Sequence, residues 1–270
     1  MNDFHTCLSP YPASLNQILV RLDAYTDAIA SPDTSLPEYF NPKFADRKKE
    51  AFQTPARLEC MVQDLSMLFS GDAAEHVGFT CLDSEYTFSP VKNAIETGVV
   101  LQLKGSHPAT LISAEADQYA VSRRMLQSIG VQIEDSIEET FNGISAVMGP
   151  AVVLKPDFAT CRTELLTRFP DPTAVRISKR STLIVRGNVT IESLDLDGTL
   201  VIDVDEGWTY TVRNHVVKNA GWVRVRSTKN GDEISDMRGS VIKRKETKWI
   251  ELSDQAGTFS SLMKSWGLSS

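Results

Sequence analysis

The hydrophobic pattern changes period once along the chain, near residue 148, from helical spacing to alternation. In the first part, Leu15, Ile18, Leu19, Leu22 and Ile29 recur at helical intervals behind a Ser14 and Gln17 capping box. That predicts an amphipathic helix over 14–30, ended by Ser31-Pro32-Asp33. A short strand is expected over 38–41. Thr54 and Pro55 then open a second helical pattern, with Leu58, Met61, Val62, Leu65 and Leu68 inward and Gly71 as its stop. Residues 77–82 read as a buried strand leading to Tyr86 and Phe88, and 98–109 as a loop marked by Gly105, His107 and Pro108. A third helix is predicted over 113–129, with Tyr119, Ala120, Met125 and Leu126 inward and Gly130 closing it.

Beyond residue 148, Leu183, Val185, Val189, Ile191, Leu194, Leu196, Leu200, Ile202 and Val204 alternate with polar neighbours. Trp208, Tyr210 and Val212, then Trp222, Val223 and Val225, follow, with turns at Gly187, Gly198, Gly207 and Gly221. Short strands at near-regular spacing fit a sandwich, a barrel or a solenoid, and without a clean hexapeptide repeat periodicity does not choose among them. The pattern predicts two domains, 1–147 and 148–270, joined through the Gly149-Pro150 turn and the region of Pro156.

Composition narrows the function classes. The 270 residues are 41% hydrophobic, enough for a proper core, and no apolar run reaches the roughly 18 residues of a membrane span. The start lacks the basic-then-apolar pattern of a signal peptide, so a soluble, cytoplasmic protein without a membrane partner is expected. A net charge of −7 argues against nucleic-acid binding. Arg47-Lys48-Lys49 and Lys243-Arg244-Lys245 read as solvated faces. Cys7, Cys60, Cys81 and Cys161 form no Cys-x-x-Cys pair and are expected as reduced, mostly buried thiols. Asp195, Asp197, Asp203 and Asp205 make an incomplete calcium-loop pattern and are expected on solvated strand faces. The four histidines have no partner at ligand or triad spacing, and no metal ligands are expected from this chain.

The candidate chemistry is two turns in which proline precedes lysine: Phe40-Asn41-Pro42-Lys43 and Pro90-Val91-Lys92-Asn93. Pro42 fixes its own φ and extends Asn41, and Pro90 acts similarly before Lys92, so each lysine leaves the end of an extended segment. Loops at strand ends commonly carry ligand contacts in open α/β sheets, although either lysine turn taken alone reads first as a solvated loop charge.

These turns resemble those of the UDP-sugar pyrophosphorylases. That family's pattern includes the Asn41-Pro42-Lys43 turn, the run Arg57-Leu58-Glu59-Cys60-Met61-Val62-Gln63-Asp64, and Pro90-Val91-Lys92-Asn93. The last also looks like a turn of the UDP-N-acetylglucosamine pyrophosphorylases. The stretch from Leu8 to Gln17, the course of 113–131 and the run from Arg180 to Asp203 resemble the same family.

The resemblance implies an α/β fold: the C-terminal part of a Rossmann-like nucleotide-diphospho-sugar transferase domain, followed by a left-handed parallel β-helix. It implies a reversible uridylyltransferase acting on UTP and sugar 1-phosphates. Lys92 and Asn93 would face the substrate phosphates, Phe40, Asn41 and Lys43 the sugar and phosphate side, and Mg²⁺ would be held by ligands outside the chain. The family's glycine-rich nucleotide loop has no counterpart in this sequence. The expectation is therefore a C-terminal half, inactive alone and completed by an N-terminal half. The alternative is a noncatalytic binding or assembly module built on the β-rich domain.

Overall fold

Parallel strands drawn from the alternating region line the larger of two apolar clusters. The computed structural model describes residues 14–30, 34–46, 48, 50–227 and 233–253. It divides into two compact units, Met1–Phe88 and Ser89–Ser270.

In the first unit, helix α1 covers Leu22–Ala30 only. The capping box expected at Ser14 does not form, because Ser14 Oγ accepts the Asn16 N–H at 3.1 Å and Asn16 takes a positive φ of 57°, which helix cannot follow. The helix begins instead beside Asp23, whose carboxylate accepts the Ala24 N–H at 2.8 Å. The hydrogen bond from Arg21, then that from Ala24, holds the Asp23 carboxyl down at about 2. The stop expected at residues 31–33, and the family-like stretch before residue 14, lie outside the described residues.

Strand β1, Glu38–Phe40, forms where expected between Pro37 and Pro42. It pairs antiparallel with β2, Leu58–Cys60, setting Tyr39 opposite Glu59. This corrects the helix expected over 54–69: 58–60 is strand, and only Val62–Leu68 turns, as a 3-10 helix. Backbone groups on β1 require partners, and that tertiary demand outweighs a helical spacing of apolar residues. The Tyr39 hydroxyl also donates to Glu59 Oε2 at 3.2 Å. Two single-turn helices follow, α2 at Asp72–Glu75 and α3 at Ser84–Thr87. The strand expected over 77–82 is absent: no strand lies beside it, and Val77, Phe79 and Leu82 are exposed. None of the described residues up to Phe88 is buried.

The second unit begins with helix α4, Ile95–Leu103, where a loop was expected. Gly98 at its middle misleads a sequence reading, because glycine here serves close packing. A Cβ on Gly98 would lie 2.3 Å from Thr110 Cγ2 and 3.2 Å from Ile144 Cδ1. Helix α5, Leu111–Ser128, matches the third predicted helix, and Gly130 closes it with φ of 106°. Short strands β3 (Gln132–Ile133), β4 (Glu139–Phe141), β5 (Ile144–Ala146) and β6 (Ala151–Leu154) lead to helix α6, Arg162–Arg168.

The alternating region then supplies β7 (Val175–Ile177), β8 (Thr182–Arg186), β9 (Val189–Ile191), β10 (Leu194–Asp197), β11 (Thr199–Val204), β12 (Tyr210–Val212) and β13 (His215–Lys218). After β14 (Trp222–Arg226) and helix α7 (Glu233–Arg238) come β15 (Ser240–Arg244) and β16 (Lys248–Leu252). Successive strands visit three sheets in rotation. One sheet runs β13-β10-β7-β3, the second β16-β11-β8-β6 and the third β12-β9, with all their neighbours parallel. Val175 pairs with Leu194 and Leu194 with His215, so inward residues stack on inward residues. Gly187 makes one corner: its φ is 83°, and a Cβ there would meet the Val204 carbonyl oxygen at 1.9 Å.

The stacked residues form one apolar cluster, which includes Val152, Leu183, Leu200 and Val217 together with Leu126, Ile129 and Val131 from α5 and its exit. Residues on both sides of Met148 thus share a core, and the packing divide falls at Phe88. A second cluster joins Ile112 and Ala116 of α5 to Phe141, Ile144 and Met148, with Ile95 and Val99 of α4 against it.

Two polar expectations are corrected. Asp203 is 1% exposed, because its strand is buried along its whole length, and its carboxylate pairs with Arg186. Burial raises its pKa even against that pairing. Cys60, Cys81 and Cys161 are free but exposed, on an edge strand, in an unpaired segment and at the start of α6. Cys7 lies outside the described residues.

Gly98→Ala tests the helix crossing. In an open helix it would stabilise by about 1 kcal/mol, but here the clash with Thr110 should reverse the sign and destabilise by about 1–3 kcal/mol, read as a lower urea midpoint. Asp197 tests the acid limb. The side-chain hydrogen bond from Arg180, then that from Ser178, holds its carboxyl below the usual carboxylate range. Its stabilising contribution is therefore full above the unfolded-state pKa and vanishes as pH falls through the lower folded-state value. Asp197→Asn should flatten the fall of Tm on acidification, measured by thermal melts from pH 7 downward.

Candidate functional site

Each lysine turn is held by its own unit. In the first, Phe40 ends β1 with its ring exposed, and Asn41, Pro42 and Lys43 continue into an exposed bend. The bend closes as a loop: the Gln53 N–H donates to the Lys43 carbonyl at 2.8 Å, and the Ala45 N–H to the Ala51 carbonyl at 2.9 Å. Phe44 and Phe52 stack at 5.2 Å across it, and Asp46 Oδ2 accepts the Ala51 N–H at 2.7 Å. Phe40, Asn41 and Lys43 are thus gathered at one strand end, as the spacing of the turn implied. The adjoining hollow of about 600 Å³, lined by Ser35, Leu36, Pro37, Glu38 and Cys60, brings no cation.

In the second unit the Lys92 and Asn93 N–H groups both donate to the Ala109 carbonyl, at 2.8 and 3.0 Å. Asn93 Nδ2 donates to the Pro108 carbonyl at 2.9 Å. Ala109 is itself held at a positive φ of 50° and is buried, so the receiving loop sits rigidly against the core. Just beyond, Thr110 and Ser113 close a capping box on α5, with Ser113 Oγ accepting the Thr110 N–H at 2.9 Å. Lys92 therefore projects from a turn fastened between the starts of α4 and α5.

Around this turn are groups that sequence patterns alone left unassigned. Asp117 Oδ2, near the start of α5, accepts the Ser89 hydroxyl at 2.6 Å and lies 2.9 Å from His107 Nε2. Arg123, farther along the helix, donates to the carbonyls of Pro150 and Val147 at 3.0 and 3.3 Å. Burial, then the neighbouring Arg124, lowers its pKa. His107, Asp117, Arg123 and Arg124 line one hollow of about 440 Å³ with Glu134 and Ser145. The available signal was the predicted helix: side chains on its first turns lean back over its N-terminus, towards 107–110.

On the far side of α5, Glu115 accepts the Tyr119 hydroxyl at 2.8 Å and Arg224 Nη2 at 2.7 Å, with Arg238 Nε 3.0 Å from its other oxygen. Burial, then the Glu115 charge, pushes the Tyr119 hydroxyl pKa up. The cluster ties α5 to β14 and α7. Among the described residues, no three His, Cys, Asp or Glu side chains come together as a metal site.

Comparison with known proteins finds relatives of one kind. A scan against protein-family models finds no match. Over 249 residues, 92% of its length, the chain is 31% identical to the UDP-sugar pyrophosphorylase of Oryza sativa subsp. japonica and 30% identical to that of subsp. indica. Over 219 residues, 80% of its length, it is 31% identical to the UDP-sugar pyrophosphorylase of Arabidopsis thaliana. It spans 39% of the length of the rice proteins and 34% of the Arabidopsis one. The similar proteins are thus pyrophosphorylases, by name those of UDP-sugars. The chain is consistent with a partial UDP-sugar pyrophosphorylase.

Asn93→Ala should cost about 0.5–1.5 kcal/mol by freeing the Pro108 carbonyl, with chemical-shift changes confined to 92–93 and 107–110. A two-dimensional amide spectrum with a denaturation curve reads both.

Proposed function

We propose that this chain supplies the phosphate- and sugar-facing turns of a UDP-sugar pyrophosphorylase, which makes UDP-sugars and pyrophosphate reversibly from UTP and sugar 1-phosphates. The single observation that carries this is similarity to such enzymes along 92% of the chain. The anchored Lys92 turn supplies the physical support.

In uridylyl transfer an oxygen of the sugar phosphate attacks the α-phosphorus of UTP in line, the bond to the bridging oxygen breaks, and pyrophosphate leaves. No enzyme nucleophile is required, so catalysis consists of positioning and neutralising charge. Lys92 serves the diphosphate, whose charge grows in the transition state, and Asn93 fixes its turn. Lys43 serves the sugar phosphate, with Asn41 and Phe40 beside it. Mg²⁺ would add charge neutralisation at the phosphates. Among the described residues no three His, Cys, Asp or Glu side chains come together to hold it, and its ligands are assigned, as the resemblance implies, to the nucleotide-gripping half.

The sheets visited in rotation are read as a left-handed parallel β-helix forming the C-terminal domain, 148–270, whose core the end of α5 shares, and residues 1–147 as part of a Rossmann-like catalytic domain. The protein acts in the cytoplasm. The first unit, with no buried residue among those described, is completed by the nucleotide-gripping half of the enzyme.

The 270-residue chain alone should release no pyrophosphate from UTP and sugar 1-phosphates above background, and turnover at an ordinary enzyme rate would refute the need for a second half. In a complete enzyme containing this chain, Lys92→Met should lower kcat by about 10²-fold, whereas Lys43→Met should mainly raise KM for the sugar phosphate. A kcat for folded Lys92→Met within a few-fold of the parent would make Lys92 an ordinary surface charge.

A further inference from the structure

Asp117 Oδ2 lies where two otherwise separate segments meet the start of α5. It accepts the Ser89 hydroxyl at 2.6 Å, immediately before the Pro90 turn, and contacts His107 Nε2 at 2.9 Å, immediately before the Pro108 loop. The other ring nitrogen identifies the tautomer. His107 Nδ1 accepts the Ala109 N–H at 3.1 Å, so it carries no proton, and the proton resides on Nε2, which donates to Asp117. The Ala109 carbonyl in turn accepts the Lys92 and Asn93 N–H groups. A continuous path therefore runs from Asp117 through His107 and Ala109 to the backbone of Lys92. Its other branch runs through Ser89 to the same turn.

We propose that Asp117 is a positioning residue for the Lys92 turn, holding it from both ends through Ser89 and through the Nε2–H tautomer of His107. The importance of this for catalysis rests on the reading of Lys92 as a phosphate-facing group. Ala109 shows why a clamp is required. It is a non-glycine residue at a φ of 50°, a conformation that persists only where the surroundings determine it, and its two peptide groups are the ones engaged by His107 and by the lysine turn. Both accepted bonds use one carboxylate oxygen, so what the position requires is one acceptor oxygen in that place.

The test uses the 270-residue chain labelled with ¹⁵N, and it needs no activity. His107 should show the neutral Nε2–H pattern. Asp117→Ala should mix the two tautomers and speed amide exchange at Lys92 and Asn93 by about tenfold. Asp117→Asn, which keeps an acceptor oxygen, should restore both to near the parent values. Unchanged exchange at Lys92 and Asn93 in folded Asp117→Ala overturns the positioning role, as does failure of the Asn variant to rescue. Should Asp117→Ala not fold, His107→Ala removes the same link, and unchanged exchange there overturns the role equally.

In a complete enzyme containing this chain, Asp117→Ala should lower kcat by about tenfold with Lys92 present and cost nothing more in the Lys92→Met background. Equal losses in both backgrounds show that Asp117 does not act through Lys92 and overturn the proposal. A silent Lys92→Met combined with faster exchange in Asp117→Ala would instead remove the phosphate role of Lys92 while upholding the clamp.

Discussion

Burial of helix α5 against the stacked parallel strands is the interaction on which the site depends. Leu126 and Ile112 are 0% and 1% exposed, and each belongs to a different apolar cluster, so the helix is gripped at both ends. Side chains buried this fully contribute about 1.5–3 kcal/mol each, whereas a single hydrogen bond contributes about 1 kcal/mol net. Apolar packing therefore places the helix, and polar groups specify what it presents. One face sends Glu115 to Arg224 and Arg238, another sends Asp117 to Ser89 and His107, and Arg123 reaches the 147–150 backbone.

That division of labour explains what the sequence disclosed. Helix α5 and strands β8 to β12 and β14 follow from apolar period, because burial on one face or in one stack is what generates the period. Helix α4 was hidden by Gly98, which reads as a loop signal until Thr110 is seen packed against it. The strand at 58–60 was hidden because its spacing suits a helix and its partner β1 lies elsewhere in the chain. Asp203 was misplaced by alternation, since both faces of β11 are buried. Within the candidate site, Lys92, Asn93, Lys43, Asn41 and Phe40 were legible as turn residues. His107 and Asp117 were not, because the pair meets across a bend with positive φ at Ala109 that no composition signal announces.

The two lysine turns also differ in how firmly they are held, and the difference bears on the roles proposed for them. Fixing a residue's backbone costs about 1–2 kcal/mol, and the cost must be offset by burial and bonding nearby. At Lys92 the offset is present: its N–H and that of Asn93 are bound to a buried loop that caps a core helix. At Lys43 the offset within its unit includes two backbone bonds, the Phe44 and Phe52 stack and the Asp46 cap, and none of the described residues of that unit is buried. A charge that stabilises a transition state does so to the extent that its position is set before the reaction begins, whereas a charge that helps gather substrate tolerates being ordered by the substrate itself. Under the proposed function, the core-anchored turn thus suits the growing charge of the leaving pyrophosphate, and the surface-held turn suits recognition of the sugar phosphate.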